Sequence, residues 1–182
     1  MNVTEMEEQG IEIIEIPVPE EIIDLLGSED AARQGAREAF VFDLVRRGEH
    51  ALNVVCDAST LIALARIGHL DILRQVGVQV VIPTAVYEEM VVKGEGKPGS
   101  DEIRQASWVD TRGVADRNVV AKFRTVLGAD ESEVIALAKE SEADLIILDD
   151  EDARETAIAE GLNVVGLLAF LVLAKEGGII HG

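Results

Sequence analysis

Cysteine, histidine and basic side chains are all scarce in this chain. One cysteine, Cys56, and three histidines stand among 182 residues. A single thiol closes no internal disulfide and builds no cysteine-based zinc site. His50, His69 and His181 lie far apart in the sequence and form no ligand-spaced pair, so they read as surface or turn residues. The only tryptophan, Trp108, reads as a packing residue rather than a base-stacking platform. Long apolar runs are missing too. The longest, Leu162 to Ala174, includes Asn163 and is too short to span a bilayer. Met1 to Gln9 is acidic where a secretory signal would be basic and then apolar. No membrane association and a cytoplasmic location are therefore expected.

Lys and Arg number 16 against 35 Asp and Glu, a net charge of −19. That balance works against nucleic-acid binding, because phosphate contacts need bases. Residues 1–50 hold 13 acids and 4 bases, and residues 51–182 hold 22 acids and 12 bases. One stretch departs from the trend. Lys93 to Arg124 carries 7 bases (Lys93, Lys97, Arg104, Arg112, Arg117, Lys122, Arg124) against 5 acids. It is either a local phosphate-contacting surface or an ordinary mixed solvated one.

With 48% apolar and 28% charged residues, the chain suits one globular α/β core and a small appendage. The front part, residues 1–49, reads as a short strand at Ile11–Ile16, broken by Pro17 and Pro19. A longer helix follows, N-capped by Ser28 and ending with Arg46, Arg47 and Gly48. Its stripe of Ala32, Ala36, Ala39, Phe40 and Leu44 is too thin to fold alone. This strand-helix appendage is expected to pack on a main domain and to help build a homodimer or higher homo-oligomer, because an unpaired strand edge invites pairing with its copy.

From about residue 50 the pattern becomes strand, turn, helix, repeated to residue 182. Strands are expected at Leu52–Cys56, Val78–Ile82, Leu145–Leu148 and Asn163–Val165, with a weaker one at Trp108–Val109. Helices are expected at Ser59–Ile67, His69–Val76, Pro83–Val92, Asp101–Ala106, Val114–Leu127, Glu131–Ser141, Asp150–Glu160 and Leu167–Glu176, with Pro83 in the first turn of its helix. Short apolar strands alternating with helices call for a mainly parallel central sheet in a three-layer α/β/α domain.

In such a sheet, ligands gather where strands end and helices begin, and here those places carry acids. Asp57 follows the first strand, and Asp149 and Asp150 follow Leu145–Leu148. Glu88 and Glu89 lie on the helix after Val80-Val81-Ile82, with Glu89 on the face of Ala85, Val86 and Val92. Glu131 stands one turn before Val134 and Ile135, on the inward side of its helix, with Glu133 close by. Acids at helix N-termini often serve only as caps. Four in corresponding places, without matching bases, would repel one another, and Mg²⁺ or Mn²⁺ relieves that repulsion because it prefers oxygen ligands. Two such ions about 4 Å apart activate water and stabilise the leaving oxygen of a phosphodiester. Ser59 either caps its own helix or donates to Asp57. Arg154, one turn after Asp150, either pairs with it or steadies a ligand or a phosphate.

The run Val54-Val55-Cys56-Asp57-Ala58-Ser59 resembles the opening strand of PIN domains. Ile82 to Met90 is similar to their second motif, with Glu89 at the acid position. Glu131 to Ala138 is similar to the third, with Glu131 as its acid, and Leu148 to Arg154 to the fourth, with Asp150 favoured and Asp149 beside it. The resemblance covers about residues 51–181. It implies a PIN-like α/β/α fold, Mg²⁺ or Mn²⁺ held by Asp57, Glu89, Glu131, Asp150 and Asp149, and endonucleolytic cleavage of RNA leaving 5′-phosphate ends. The Asp-Asp-x-x-Ala-Arg run and the Gly-Ile-Ile ending resemble the prokaryotic toxin-type subgroup, and residues 11–49 resemble the start of a small antitoxin-like protein. An antitoxin partner is thereby implied. Where the subgroup has Gly-Thr-Leu-Gly, this chain has Gly166-Leu167-Leu168-Ala169, so that hydroxyl is missing. A PIN scaffold that binds RNA or protein without cutting is the main alternative. Metal-dependent phosphate-monoester hydrolysis stays open, and a response-regulator receiver is disfavoured because the acid pair falls after the fourth core strand.

Overall fold

Val54, Val55 and Cys56 are fully buried, and so are Val80, Val81, Ile82, Ile146 and Ile147. Strands buried on both faces read as unbroken apolar runs, and helices on both sides of a parallel sheet are what bury them. The computed structural model describes residues 52–176 and has that arrangement. Expectations for residues 1–49, and for the Gly-Ile-Ile ending, lie outside the described residues.

The sheet comprises β1 (Asn53–Cys56), β2 (Gln79–Pro83), β3 (Val109–Arg112), β4 (Leu145–Ile147) and β5 (Val164–Val165), all parallel, in the order β3-β2-β1-β4-β5. Val55 pairs with Val81 on one side and with Ile146 on the other, so β1 is the central strand. The helices are α1 (Ala58–Arg66), α2 (Ile72–Gln75), α3 (Thr84–Tyr87), α4 (Ser100–Gln105), α5 (Arg117–Phe123), α6 (Ala129–Glu140), α7 (Glu151–Ala159) and α8 (Leu167–Glu176). Helix α6 buries Val134, Ile135, Ala136, Leu137 and Ala138 in succession. A helix apolar around most of its circumference must be covered on several sides; α6 lies on β1, β2 and β4 and is flanked by α3, α5 and α7. None of the described helices is long and apolar enough to cross a membrane.

Five expectations need correction. Pro83 does not open α3; it ends β2 and caps the helix from extended backbone (φ −71°, ψ 159°). The helix expected through Val92 changes at Glu88 into a π-helical turn over Glu88–Val92. The edge strand β3 runs past Val109 to Arg112, because an edge strand tolerates the polar Asp110-Thr111-Arg112 that hid it. Helix α5 starts at Arg117 rather than Val114, since the Asp116 carboxylate accepts from the N–H groups of Asn118 and Val119 and so sets the first turn. The helix expected at His69–Val76 is also shorter, held between Gly68 and Gly77, whose positive φ angles of 71° and 78° break helical backbone.

One ion triad ties three outer helices together. Glu160, at the end of α7, accepts from Lys122 on α5 at 2.7 Å and from Lys139 on α6. These two donors, Lys122 first, hold its carboxyl below the ordinary value of 4.5. A depressed acid contributes stability above its ordinary value and loses it as pH falls through the folded-state value. Glu160→Gln should therefore cost about 1 kcal/mol at pH 7 and almost nothing near pH 2, read by urea unfolding at both. An equal cost at both would show that shape, and not charge, is what Glu160 supplies.

Candidate active site

Parallel strands present their C-terminal ends along one edge. The chain leaves β1 towards β2 on one side, while β4 pairs on the other, so the crevice between the ends of β1 and β4 is the switch point where α/β sheets bind ligands. Asp57 follows β1, and Leu148-Asp149-Asp150 follows β4.

Asp57 is 2% exposed. It is the N-cap of α1, with Oδ1 accepting the Thr60 N–H at 2.8 Å and Oδ2 accepting the Ser59 hydroxyl at 2.5 Å. Ser59 is thus not the cap; it donates to the acid two residues before it. Burial pushes the Asp57 carboxyl up, and donors from Ser59, Thr60 and the Asp149 backbone oppose that rise. The Asp149 backbone therefore faces Asp57 across the β1–β4 crevice.

Glu131, in the first turn of α6, bends back over Gly128, where a Cβ would collide with its Oε2. That oxygen is buried and has no hydrogen-bond partner. Burial, then the shared proton and charge of Asp130 and the charge of Asp150, raise the Glu131 carboxyl to about 7. The Asp150 contribution places the start of α6 within electrostatic reach of the end of β4. Asp150 itself caps α7, its Oδ1 accepting the Ala153 N–H at 2.9 Å, and Asp149 is exposed.

The remaining acids differ. Glu89, in the π-helical turn, pairs with Lys93 at 3.2 Å, and Glu88 is exposed. Glu133 accepts from the Ala85 N–H at 3.2 Å and from Arg117 at 2.6 Å, which ties α6 to α3 and α5. Arg154 does not pair with Asp150; its guanidinium lies beside Gly166. Gly166 is followed by Leu167, buried where the toxin-type pattern has a threonine. Among the described residues, no three Asp, Glu, His or Cys side chains are grouped closely enough to ligate one ion as they stand. The structure brings Glu131, Asp130 and Asp150 into electrostatic contact and sets Asp57 against Asp149, while Glu89 stays with Lys93.

Of the seven bases between Lys93 and Arg124, five are spent on neighbouring acids: Lys93 on Glu89, Arg104 on Asp101, Arg112 on Asp110, Arg117 on Glu133 and Lys122 on Glu160. Lys97 and Arg124 are exposed. This pattern favours a mixed solvated surface.

A parallel five-stranded sheet with carboxylates at its switch point defines the class, and the family follows from residues 53–182, which match the PIN domain family designated DUF3368. The chain belongs to that family. PIN domains are generally nucleases and commonly depend on divalent metal ions. Among solved structures, the chain is similar to a PilT N-terminus domain protein from the hyperthermophilic archaeon Sulfolobus solfataricus P2. The two are 22% identical with a TM-score of 0.51, over 72% of this chain and 98% of that one. At that identity the likeness establishes the fold. No curated protein matches the chain.

The donors suit a hard divalent cation. They are all carboxylate oxygens, one is buried without a partner, and burial pushes the carboxyls of both Asp57 and Glu131 up. Asp57, Glu131 and Asp150 are the residues that would hold it.

The raised Glu131 value has a testable sign. An acid raised on folding contributes stability below its ordinary value of 4.5 and loses it as pH rises through about 7. In EDTA at pH 8, Glu131→Gln should be more stable than the parent by about 1 kcal/mol, a small figure because solvent screens a partly exposed group. The gain should vanish near pH 4, and Mg²⁺ should stabilise the parent more than the variant. Destabilisation by Gln at pH 8 in EDTA would contradict this account of the site.

Proposed function

We propose that this chain is a metal-dependent endoribonuclease that hydrolyses RNA phosphodiester bonds with Mg²⁺ or Mn²⁺. The observation that carries the reading is the Glu131 oxygen, buried and unpartnered next to Asp130 and within electrostatic reach of Asp150, which follows β4 at the sheet's switch point. A bound divalent cation would supply charge neutralisation at the phosphate and an acidified water.

The chain's own residues do the rest. Asp57 is locked by the Ser59 hydroxyl and the Thr60 N–H, so its carboxylate is pre-oriented rather than free to rotate. Glu131 would offer its buried, unpartnered Oε2 as an oxygen that holds the cation, in place of the proton that burial favours in the free protein. Water oxygen attacks phosphorus and loses a proton to solvent, the bond to the 3′ oxygen breaks and that oxygen takes up a proton from solvent, and the products are a 5′-phosphate and a 3′-hydroxyl. Asp150 adds a carboxylate from the β4 end. Glu89 would join only by leaving Lys93, a surface pair worth less than about 1 kcal/mol.

The Leu148–Arg154 motif supports a toxin-type role, with residues 1–49 as an antitoxin-like segment that also assembles a homodimer. A second reading has its own observation: Glu89 is engaged by Lys93 and no three acids are grouped, as suits a scaffold that binds RNA or protein without cutting it.

One assay separates the two. Mixed-sequence RNA should be cut with Mg²⁺ or Mn²⁺ and left intact with EDTA. Asp57→Asn should abolish cutting while keeping the melting temperature. Ser59→Ala, which frees the Asp57 carboxylate to turn, should slow it roughly 10- to 100-fold. RNA bound but uncut by the parent under every metal would establish the scaffold. Undiminished cutting by folded Asp57→Asn would remove Asp57 from the mechanism.

A further inference from the structure

Twelve lysines and arginines lie among the described residues, and eleven are exposed; Arg154 alone is half-buried. It is also without a counter-charge. Among the described residues no hydrogen bond or ion pair joins its guanidinium to any group, although Asp149, Asp150, Glu151, Asp152 and Glu155 all lie within five residues of it. A half-buried cation that ignores so many nearby carboxylates is costly unless an anion from outside completes it.

Its position shows where that anion would sit. Helical side chains lean towards the helix N-terminus, so Arg154, in the second turn of α7, reaches back towards Asp150 and the end of β4. A Cβ on Gly166 would come within 3.0 Å of its Nη1 and 3.9 Å of the Leu148 carbonyl oxygen. Gly166 does not have the positive φ that demands glycine. What it provides is room for the guanidinium beside the residue that follows β5. Leu148 bonds to Val165 across that edge, and the next residue, Asp149, faces Asp57.

We infer that Arg154, seated on Gly166, is a substrate-positioning residue that binds a non-bridging phosphate oxygen of the RNA backbone at the edge of the carboxylate site. This deepens the nuclease reading and rests on it for the identity of the ligand. Guanidinium suits the task because its fork matches two phosphate oxygens and it keeps its charge at any working pH. In a chain with net charge −19, one pre-placed cation beside the acids gives the substrate its point of entry.

The test uses the full chain, Arg154→Gln and Arg154→Lys, with fluorescein-labelled mixed-sequence single-stranded RNA in EDTA over a range of KCl. Arg154→Gln should bind roughly tenfold more weakly, with the log–log salt slope reduced by about 0.7. Arg154→Lys should recover the slope but not the full affinity. Melting temperatures should stay level, because among the described residues the guanidinium has no hydrogen bond or ion pair to lose. A parent that cuts RNA while Arg154→Gln binds it with unchanged affinity and slope would overturn the inference and leave the nuclease reading standing. A fall in melting temperature with an unchanged slope would make Arg154 structural and overturn it equally. If the parent neither binds nor cuts RNA, the nuclease reading fails, and inorganic phosphate decides the rest. Thermal stabilisation of the parent by phosphate, lost in Arg154→Gln, would uphold the anion seat, and no stabilisation would overturn it.

Discussion

Burial of carboxylates near the ends of β1 and β4 is the constraint on which the chemistry of this site depends. A parallel sheet aims the ends of its strands at one edge, and in this chain the central strand and its neighbour both run directly into aspartate. Asp57 survives burial because three groups donate to it: the Ser59 hydroxyl, the Thr60 N–H and the Asp149 backbone. Glu131 has less compensation. Its Oε2 has no donor, and its neighbours are two further acids. The free protein answers by holding a proton on Glu131 to about pH 7. A cation bound by the same oxygens would remove the need for it.

The same economy governs the bases. Most of those in the Lys93–Arg124 stretch are committed to local acids, and two of the pairs, Arg117 with Glu133 and Lys122 with Glu160, join α5 to α6 and to the end of α7. Glu133 shows how finely roles divide within one helix. Two residues from Glu131, it faces the N-terminus of α3 and Arg117, and so serves architecture, while the Glu131 Oε2 stays without a partner. On the proposed nuclease reading, phosphate recognition falls to a cation kept apart from this network, and among the described residues Arg154 is the one unpaired base that is half-buried.

Much of the architecture was legible in the sequence because a doubly covered parallel sheet needs unbroken apolar strands, and Val54-Val55-Cys56, Val80-Val81-Ile82 and Leu145–Ile147 are such strands. β3 was under-read for the converse reason, since its polar residues pair at an edge where burial is not required. The π-helical turn at Glu88 left no mark in the periodicity. Within the site, Asp57 and Asp150 were readable as acids at strand ends. That both are also caps was not a rival explanation after all: the N–H groups that cap also orient the carboxylate. Two features were hidden, because neither glycine carries a side chain to signal its role: Gly128 is the space into which Glu131 folds, and Gly166 leaves the room beside which the Arg154 guanidinium lies.

The central claim is that these carboxylates form a cation site, and the most direct measurement is an anomalous difference map at the manganese edge from crystals of the full chain soaked in MnCl₂. The account requires a peak at about 2 Å from carboxylate oxygens of Asp57, Glu131 or Asp150, at the ends of β1 and β4. A saturating soak that leaves this crevice without a peak, or places manganese only on surface acids elsewhere, would contradict it.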